Sequence, residues 1–283
     1  MLYFLYKIGR RFALKLSRKT CYRIAVVLAD VYYFFARNDR KNIGDNLKVV
    51  LGTGDHKAIT RHTKKIFRNF AKYLADFFRF SQLSGDHILR FTEIEGKKNL
   101  DEALKRGKGV ISLSAHLGNW ELGAAIVASM GYPLYVIALN HKDTRINDFF
   151  LQQRAVADVK VIPIGSQLKN CFKVLRKNAV LGIAGDRTFS NHGIWADFFG
   201  RPAKLPQGPA FFSLRTGALI IPTFLMRKKD DSFRLSFEKP IENEKTENGE
   251  ADIKNAVKKY IGVTERYIKS FPDQWYAFKK VWE

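Results

Sequence analysis

From about residue 90 onward, short runs of β-branched and aliphatic residues alternate with stretches of helical periodicity. No other feature constrains the fold of this chain as much. The runs are VISLS (110–114), PLYVIAL (133–139), DVKVIPI (158–164), AVLGIAG (179–185), ALIIPTFLM (218–226) and FRLSFEKPI (233–241). Strands that are apolar on both faces need both faces covered, so the pattern predicts an α/β class with a central mixed sheet covered by helices. FRLSF alternates apolar with polar and is expected at a sheet edge. Helices are expected over about 119–130, 166–177 and 250–270. Pro206, Gly208 and Pro209 shape a loop into a further helix, with Pro209 in its first turn.

Residues 1–80 read as helix almost throughout. In RHTKKIFRNFAKYLADFFRF, Ile66, Phe70, Leu74, Phe77 and Phe78 recur at helical spacing with cations between them. The expected organisation is a basic amphipathic helical membrane-associating region over 1–80 and an α/β domain over 81–283, integrated into one body. The chain carries 49 Lys and Arg against 27 Asp and Glu, a net charge of +22, and residues 1–80 hold 18 of those cations against five Asp and no Glu. An excess of this size asks for an anionic partner: nucleic acid, an anionic lipid surface or an acidic carrier.

MLYFLYKIGRRFALKLSRK places Leu5, Ile8, Phe12 and Leu16 on one helical stripe, with Lys7, Arg10, Arg11, Lys15 and Arg18 over a broad arc away from it. Its apolar runs are shorter than the roughly 20 residues a span requires, and no small-residue cleavage site follows a clean apolar core. An interfacial helix on anionic lipid fits, as does an amphipathic helix packed on the protein's own core. Tyr22 to Phe35 (YRIAVVLADVYYFF) carries Arg23 and Asp30 and reads as a buried or membrane-contacting helix. No nucleic-acid-binding motif appears, so no nucleic-acid partner is expected. Cys21 and Cys171 lie far apart, outside any metal-ligand spacing, and form no disulfide framework, which fits a reducing cytosolic side.

The stretch SAHLGNWELG (114–123) follows the first apolar run. His116 falls just past the carboxyl end of a buried strand, where open α/β sheets place their ligands. Gly118 permits a tight turn, Asn119 is a good N-cap, and Glu121 falls in the first turn of the next helix. A carboxylate on one imidazole nitrogen would fix the tautomer and support general-base work by the other. Backbone N–H groups at that helix start would suit an oxyanion. A structural His with an ordinary first-turn Glu explains the same residues. No GxSxG elbow and no HExxH cluster is present, so neither a serine nucleophile nor a metal site is expected.

HLGNWELG (116–123) resembles the HxxxxD/E block of the bacterial late lipid A acyltransferases, the lauroyl and myristoyl transferases of lipopolysaccharide assembly. Their superfamily includes the phosphatidylinositol mannoside acyltransferases. GDRTFSNHGIWADFFGRPAKLPQGPAFFSLRTGALIIP (185–222) is similar to the family's GD–R, FFG, P-x-GPA and TGA–IP blocks. RKNIGDNLKVVLG (40–52) looks like its R–N–L segment, and FPDQWYAFKKVW (271–282) like its terminal QW-aromatic motif, so the likeness spans nearly the whole chain.

The resemblance implies a glycerolipid-acyltransferase-like fold and makes 81–283 an acyltransferase domain. It implies a membrane-associated O-acyltransferase that moves a fatty acyl chain from acyl carrier protein or acyl-CoA to a hydroxyl of an anionic glycolipid, a lipid A precursor or a relative. His116 would be the general base and Glu121 its orienting carboxylate. Gly118 and Asn119 would shape the substrate-facing turn, and Arg154, Asp186 and Arg187 would line the cleft. Arg187, Arg201 and Lys204 would meet phosphates, and Phe198 and Phe199 would wall an acyl groove. No metal or organic cofactor is implied. The expected location is the cytoplasmic face of the inner membrane, peripheral or N-terminally anchored. The alternatives are a phosphatidylinositol mannoside or other glycolipid acceptor, or a catalytically silent lipid-binding protein of the same fold.

Overall fold

Helical periodicity carries the chain through α1 (Leu2–Lys15), α2 (Arg18–Phe35), α3 (Arg37–Leu51) and α4 (His56–Phe78) before any strand begins. Two of these helix starts have a clear local cause. Ser17 caps α2 by accepting from the Thr20 N–H at 3.2 Å, and Asp55 caps α4 through the Lys57 N–H at 2.9 Å. Two short helices, α5 (Phe80–Leu83) and α6 (Asp86–Leu89), lead to β1 (Thr92–Glu95). The alternating part follows as α7 (Lys97–Lys105), β2 (Val110–Ser114), α8 (Trp120–Ser129), β3 (Leu134–Ala138), α9 (Thr144–Val156), β4 (Lys160–Pro163), α10 (Lys169–Arg176) and β5 (Val180–Ala184). Then come β6 (Gly193–Phe198), β7 (Arg201–Pro206), α11 (Gly208–Thr216), β8 (Leu219–Arg227), β9 (Phe233–Phe237) and α12 (Gly249–Ser270). The computed structural model describes residues 2–83, 85–165, 168–188 and 193–282. Residues 189–192, within the block that resembles the GD–R segment, lie outside the described residues.

The main sheet is mixed, as the sequence predicts, with strand order β1-β9-β8-β2-β5-β3-β4. β2 runs parallel to both β5 and β8, while β8 and β9 are antiparallel. Period-two alternation sorts side chains to two cores. Ile111 and Leu113 of β2 and Ile220 and Phe224 of β8 pack under α10, α11 and α12. Val110, Leu219, Ile221 and Leu225 face the opposite layer of α7, α8 and α9. All nine residues of β8 are buried, as a central strand requires.

Two expectations need correction. FRLSF does not form the edge: β9 is paired on both sides, because the four-residue strand β1 adds to it in parallel. Thr92–Glu95 is too short to stand out from its surroundings by sequence periodicity. The FFG segment walls no groove: it turns the separate β6–β7 hairpin and buries Phe198 fully in the core. Phe199 and Gly200 adopt φ of 56° and 73° there, and the Gly200 N–H bonds Asp197 Oδ1 at 2.9 Å.

The N-terminal helices form a layer of their own around Ala29, Ile43, Leu47, Ile59, Ile66 and Phe67, into which Tyr276 of the C-terminal tail inserts. α1 proves to have two apolar faces. Tyr6 packs inward on Phe78, Phe149 and Phe150, whereas the stripe residues Leu5, Ile8 and Phe12 point outward, each more than half exposed. On α2, Cys21, Tyr22 and Ala29 face inward, and Ile24, Val27, Leu28, Val31, Phe34 and Phe35 are exposed. Among the described residues, no helix is long and apolar enough to cross a membrane.

Candidate active site

The register of β2 against β5 builds the site. Ser114 pairs with Ala184, so the residues two further along each strand, His116 and Asp186, emerge side by side at the carboxyl ends. The His116 backbone N–H donates to Asp186 Oδ1 at 3.1 Å, and His116 Nδ1 lies 2.8 Å from the same oxygen. The other carboxylate oxygen accepts from Trp275 Nε1 at 3.1 Å. Burial by itself would raise the pKa of Asp186. The charge and hydrogen bond of His116, the Arg187 guanidinium and the Trp275 hydrogen bond outweigh it and hold the carboxyl well below the usual carboxylate range.

Arg187 Nε also lies 3.1 Å from His116 Nδ1, and its Nη1 reaches the Tyr276 carbonyl at 3.3 Å. One ring nitrogen cannot donate to Asp186 and accept from Arg187 together. The ionised, fully buried carboxylate is the closer partner, so Nδ1 carries the proton and Nε2 becomes the basic nitrogen. The imidazole side chain is 14% exposed, shielded yet reachable. Trp120 meets it edge-on with ring centroids 5.2 Å apart, and Trp120 in turn stacks on Tyr73 at 4.4 Å.

The turn that carries His116 is clamped by three backbone hydrogen bonds. Tyr276 N–H donates to the His116 carbonyl at 2.9 Å, Gly118 N–H to the Gln274 carbonyl at 2.9 Å, and Asn119 N–H to the Leu225 carbonyl at 2.9 Å. Gly118 has φ of 64°, and a Cβ there would fall 2.1 Å from the Leu225 oxygen, so only glycine fits. Asn119 caps α8, as its sequence position predicts, by accepting from the Leu122 N–H at 3.2 Å.

Glu121 does not orient the histidine. Its two oxygens are held by Arg154 of α9, from Nε at 2.9 Å and Nη2 at 2.5 Å, in a pair that is about 90% buried on both sides. Among the described residues no hydrogen bond joins Glu121 to His116. The cap geometry starts α8 so that its first turn faces α9, and the bidentate arginine takes the carboxylate there. The role expected of Glu121 falls geometrically to Asp186, which the sequence suggests only as a cleft-lining residue. The usable signal was positional: Asp186 lies as far beyond AVLGIA as His116 lies beyond VISLS.

The remaining candidates divide. Arg187 belongs to the cluster. Arg201 and Lys204 sit on β7, and among the described residues no contact joins them to His116 or Asp186. Phe198 is fully buried, stacked on Trp282 at 5.5 Å, and is core rather than groove wall; Phe199 packs beside it at 4.9 Å. Two further segments find their purpose here. Asn46, in the RKNIGDNL stretch, is buried and holds the tail through the carbonyls of Ala277 at 2.9 Å and Lys279 at 2.8 Å and the Val281 N–H at 3.1 Å. The QW motif then supplies Gln274 and Trp275 to the histidine turn and to Asp186. Among the described residues no group of three or more His, Cys, Asp or Glu is placed to hold a metal ion. A cavity of about 580 Å³ lined by Lys108, Phe172, Arg176, Phe211 and Arg215 opens beyond the amino end of β2 and is no part of this site.

The sequence matches the model of the bacterial lipid A biosynthesis acyltransferases along residues 1–283. The chain belongs to that family. A lipid A acyltransferase-family member built on this plan presents its histidine from β2 and its buried aspartate from β5. The chain is also similar to phosphatidylinositol mannoside acyltransferases. It is 26% identical over 197 residues to those of two Mycobacterium tuberculosis strains, CDC 1551 / Oshkosh and H37Rv, a match covering 68% of this chain and 62% of theirs. With the Mycolicibacterium smegmatis protein it shares 26% identity over 159 residues, 54% of this chain and 52% of that one. The chain therefore spans under two thirds of the length of these curated relatives.

Proposed function

We propose that this protein transfers a fatty acyl group from a thioester, carried by acyl carrier protein or CoA, to a hydroxyl of an anionic glycolipid. The observation that carries the proposal is the 2.8 Å contact between His116 Nδ1 and the fully buried Asp186 at the carboxyl ends of adjacent strands. With Nδ1 held protonated, Nε2 takes the proton of the acceptor hydroxyl as its oxygen attacks the thioester carbonyl carbon. The tetrahedral oxyanion collapses, the carbon–sulfur bond breaks, and the departing thiolate recovers the proton from the imidazolium. Asp186 stabilises that imidazolium without accepting the proton itself. The first-turn N–H groups of α8 lack intrahelical acceptors, and Asn119 occupies only that of Leu122. Those of Trp120 and Glu121 are the donors for the oxyanion. Glu121 holds the Arg154 guanidinium beside this helix start, where it meets an anionic substrate group.

The outward apolar faces of α1 and α2, set among cations, suit a peripheral seat on anionic lipid at the cytoplasmic face of the inner membrane. The family supports a lipid A precursor as acceptor. The similarity to phosphatidylinositol mannoside acyltransferases supports a second reading, with such a mannoside as acceptor. Purified protein, offered both donors with lipid A precursors and phosphatidylinositol mannosides in turn, should form an ester with one acceptor class, identified by mass. His116→Ala should abolish turnover without disturbing the fold; undiminished turnover by that variant would dismiss the mechanism.

A further inference from the structure

A second buried polar cluster lies behind the histidine turn, and the chemistry above leaves it unused. Asp76 of α4 is fully buried. Its Oδ1 accepts from the Tyr22 hydroxyl, and its Oδ2 from Asn119 Nδ2 at 3.0 Å and Arg227 Nη2 at 2.5 Å. The Tyr22 hydroxyl also accepts from Arg18 Nε at 2.7 Å and Arg227 Nη1 at 2.9 Å. Arg227 itself is tied to Gln274 through its N–H at 3.0 Å and its carbonyl at 2.9 Å, and Gln274 holds the Gly118 N–H. A carboxylate so placed repays its desolvation only while every partner stays in position, so the cluster behaves as one rigid unit. It has one end on α2, through Tyr22 and Arg18, and the other on Asn119, three residues past His116.

We propose that Tyr22 and Asp76 are positioning residues for the His116 turn, acting through the Asn119 amide, and that seating the outer face of α2 on an anionic lipid surface tightens that turn. Tyr22 is buried on the inner face of the helix whose outer face exposes Ile24, Val27, Leu28, Val31, Phe34 and Phe35. The lipid surface is argued from charge: residues 1–80 hold 18 Lys and Arg against five Asp. Unseated, α2 can shift against α4 and slacken the Tyr22–Asp76 bond. Seated, it holds Asp76 against Asn119, which fixes the start of α8 and the peptide geometry around His116. The inference rests on the membrane part of the proposed function and is independent of which acyl acceptor is used.

Amide hydrogen exchange of the full chain, read by mass spectrometry with and without phosphatidylglycerol/phosphatidylcholine vesicles, tests it. In the wild type, exchange at Gly118, Asn119 and Leu122 should slow by about tenfold on the vesicles. Tyr22→Phe should co-sediment with the vesicles as the wild type does and melt lower, since it leaves buried partners of the hydroxyl unpaired, yet show no slowing at those amides. Arg18→Gln, which removes another donor to the same hydroxyl, should blunt the slowing and serves if Tyr22→Phe folds poorly. Slowing that persists in both variants, or a bound wild type with unchanged amides, overturns the coupling. A wild type that fails to bind vesicles overturns the membrane seat and the coupling with it, and leaves the His116–Asp186 chemistry to stand on the turnover assay.

Discussion

An imidazole works as a base at one nitrogen only if something fixes the proton on the other, and in the mechanism proposed for this protein a single buried carboxylate does so. Asp186→Asn keeps the shape of the side chain but presents an amide that can donate to Nδ1 and favour the wrong tautomer. Turnover should fall by about 10²–10⁴-fold, chiefly in kcat. The same substitution changes the pH dependence of stability. The folded-state pKa of Asp186 lies below its unfolded value, so its contribution is fully present above about pH 4 and is lost as the pH falls through the folded-state pKa. Thermal melts across the acid range should therefore show a steeper loss for the wild type than for Asp186→Asn. Gly118→Ala tests the turn from the steric side. With φ of 64° and a Cβ 2.1 Å from the Leu225 oxygen, it should cost about 2 kcal/mol or more and lower the melting temperature.

At the scale of elements, the site depends on a tail that forms no long strand or helix of its own and is held by side chains of its neighbours. Residues 274–276 reach Gly118, Asp186 and His116 from a stretch held by side chains on both sides: Arg227 bonds Gln274, Asn69 holds the Asp273 carbonyl, and Asn46 of α3 grips the chain just beyond. Asn46→Ala leaves buried backbone groups unpaired and should destabilise the protein by about 1–3 kcal/mol, with faster amide exchange at Tyr276 and lower turnover. The outer face of α2 makes a contrasting prediction, because its side chains touch little within the protein. Val27 and Leu28 are each 62% exposed, so Val27→Asp with Leu28→Asp should leave the melting temperature nearly unchanged. Co-sedimentation with anionic vesicles should fall at least about tenfold, since each side chain forfeits part of about 1.5–3 kcal/mol of burial in lipid. A fall in melting temperature with unchanged vesicle binding would instead mark that face as part of the protein's own packing.

Over the whole molecule, charge and topology answer different questions. A net charge of +22 governs what the protein approaches, and binding to anionic vesicles should weaken steeply between low and physiological salt, where the Debye length shrinks to about 8 Å. Binding that ignores salt would leave the apolar face alone responsible. Topology governs what the protein can do once there, and here the two sources of information separate. Periodicity, caps and turn residues are local signals. They made the helical N-terminal layer, the helix-covered sheet, the Asn119 cap and the place of His116 beyond its strand legible from the residues themselves. Strand order and side-chain partnership are not local. That β1 covers β9, that Arg154 claims Glu121, and that Asp186 meets His116 from 70 positions away follow from which strands pair in which register. The sequence by itself determined where an apolar strand had to end and leave a histidine at its carboxyl edge. Only the tertiary structure decided which carboxylate met that histidine, because packing and desolvation select the partner, and neither acts until the sheet has closed.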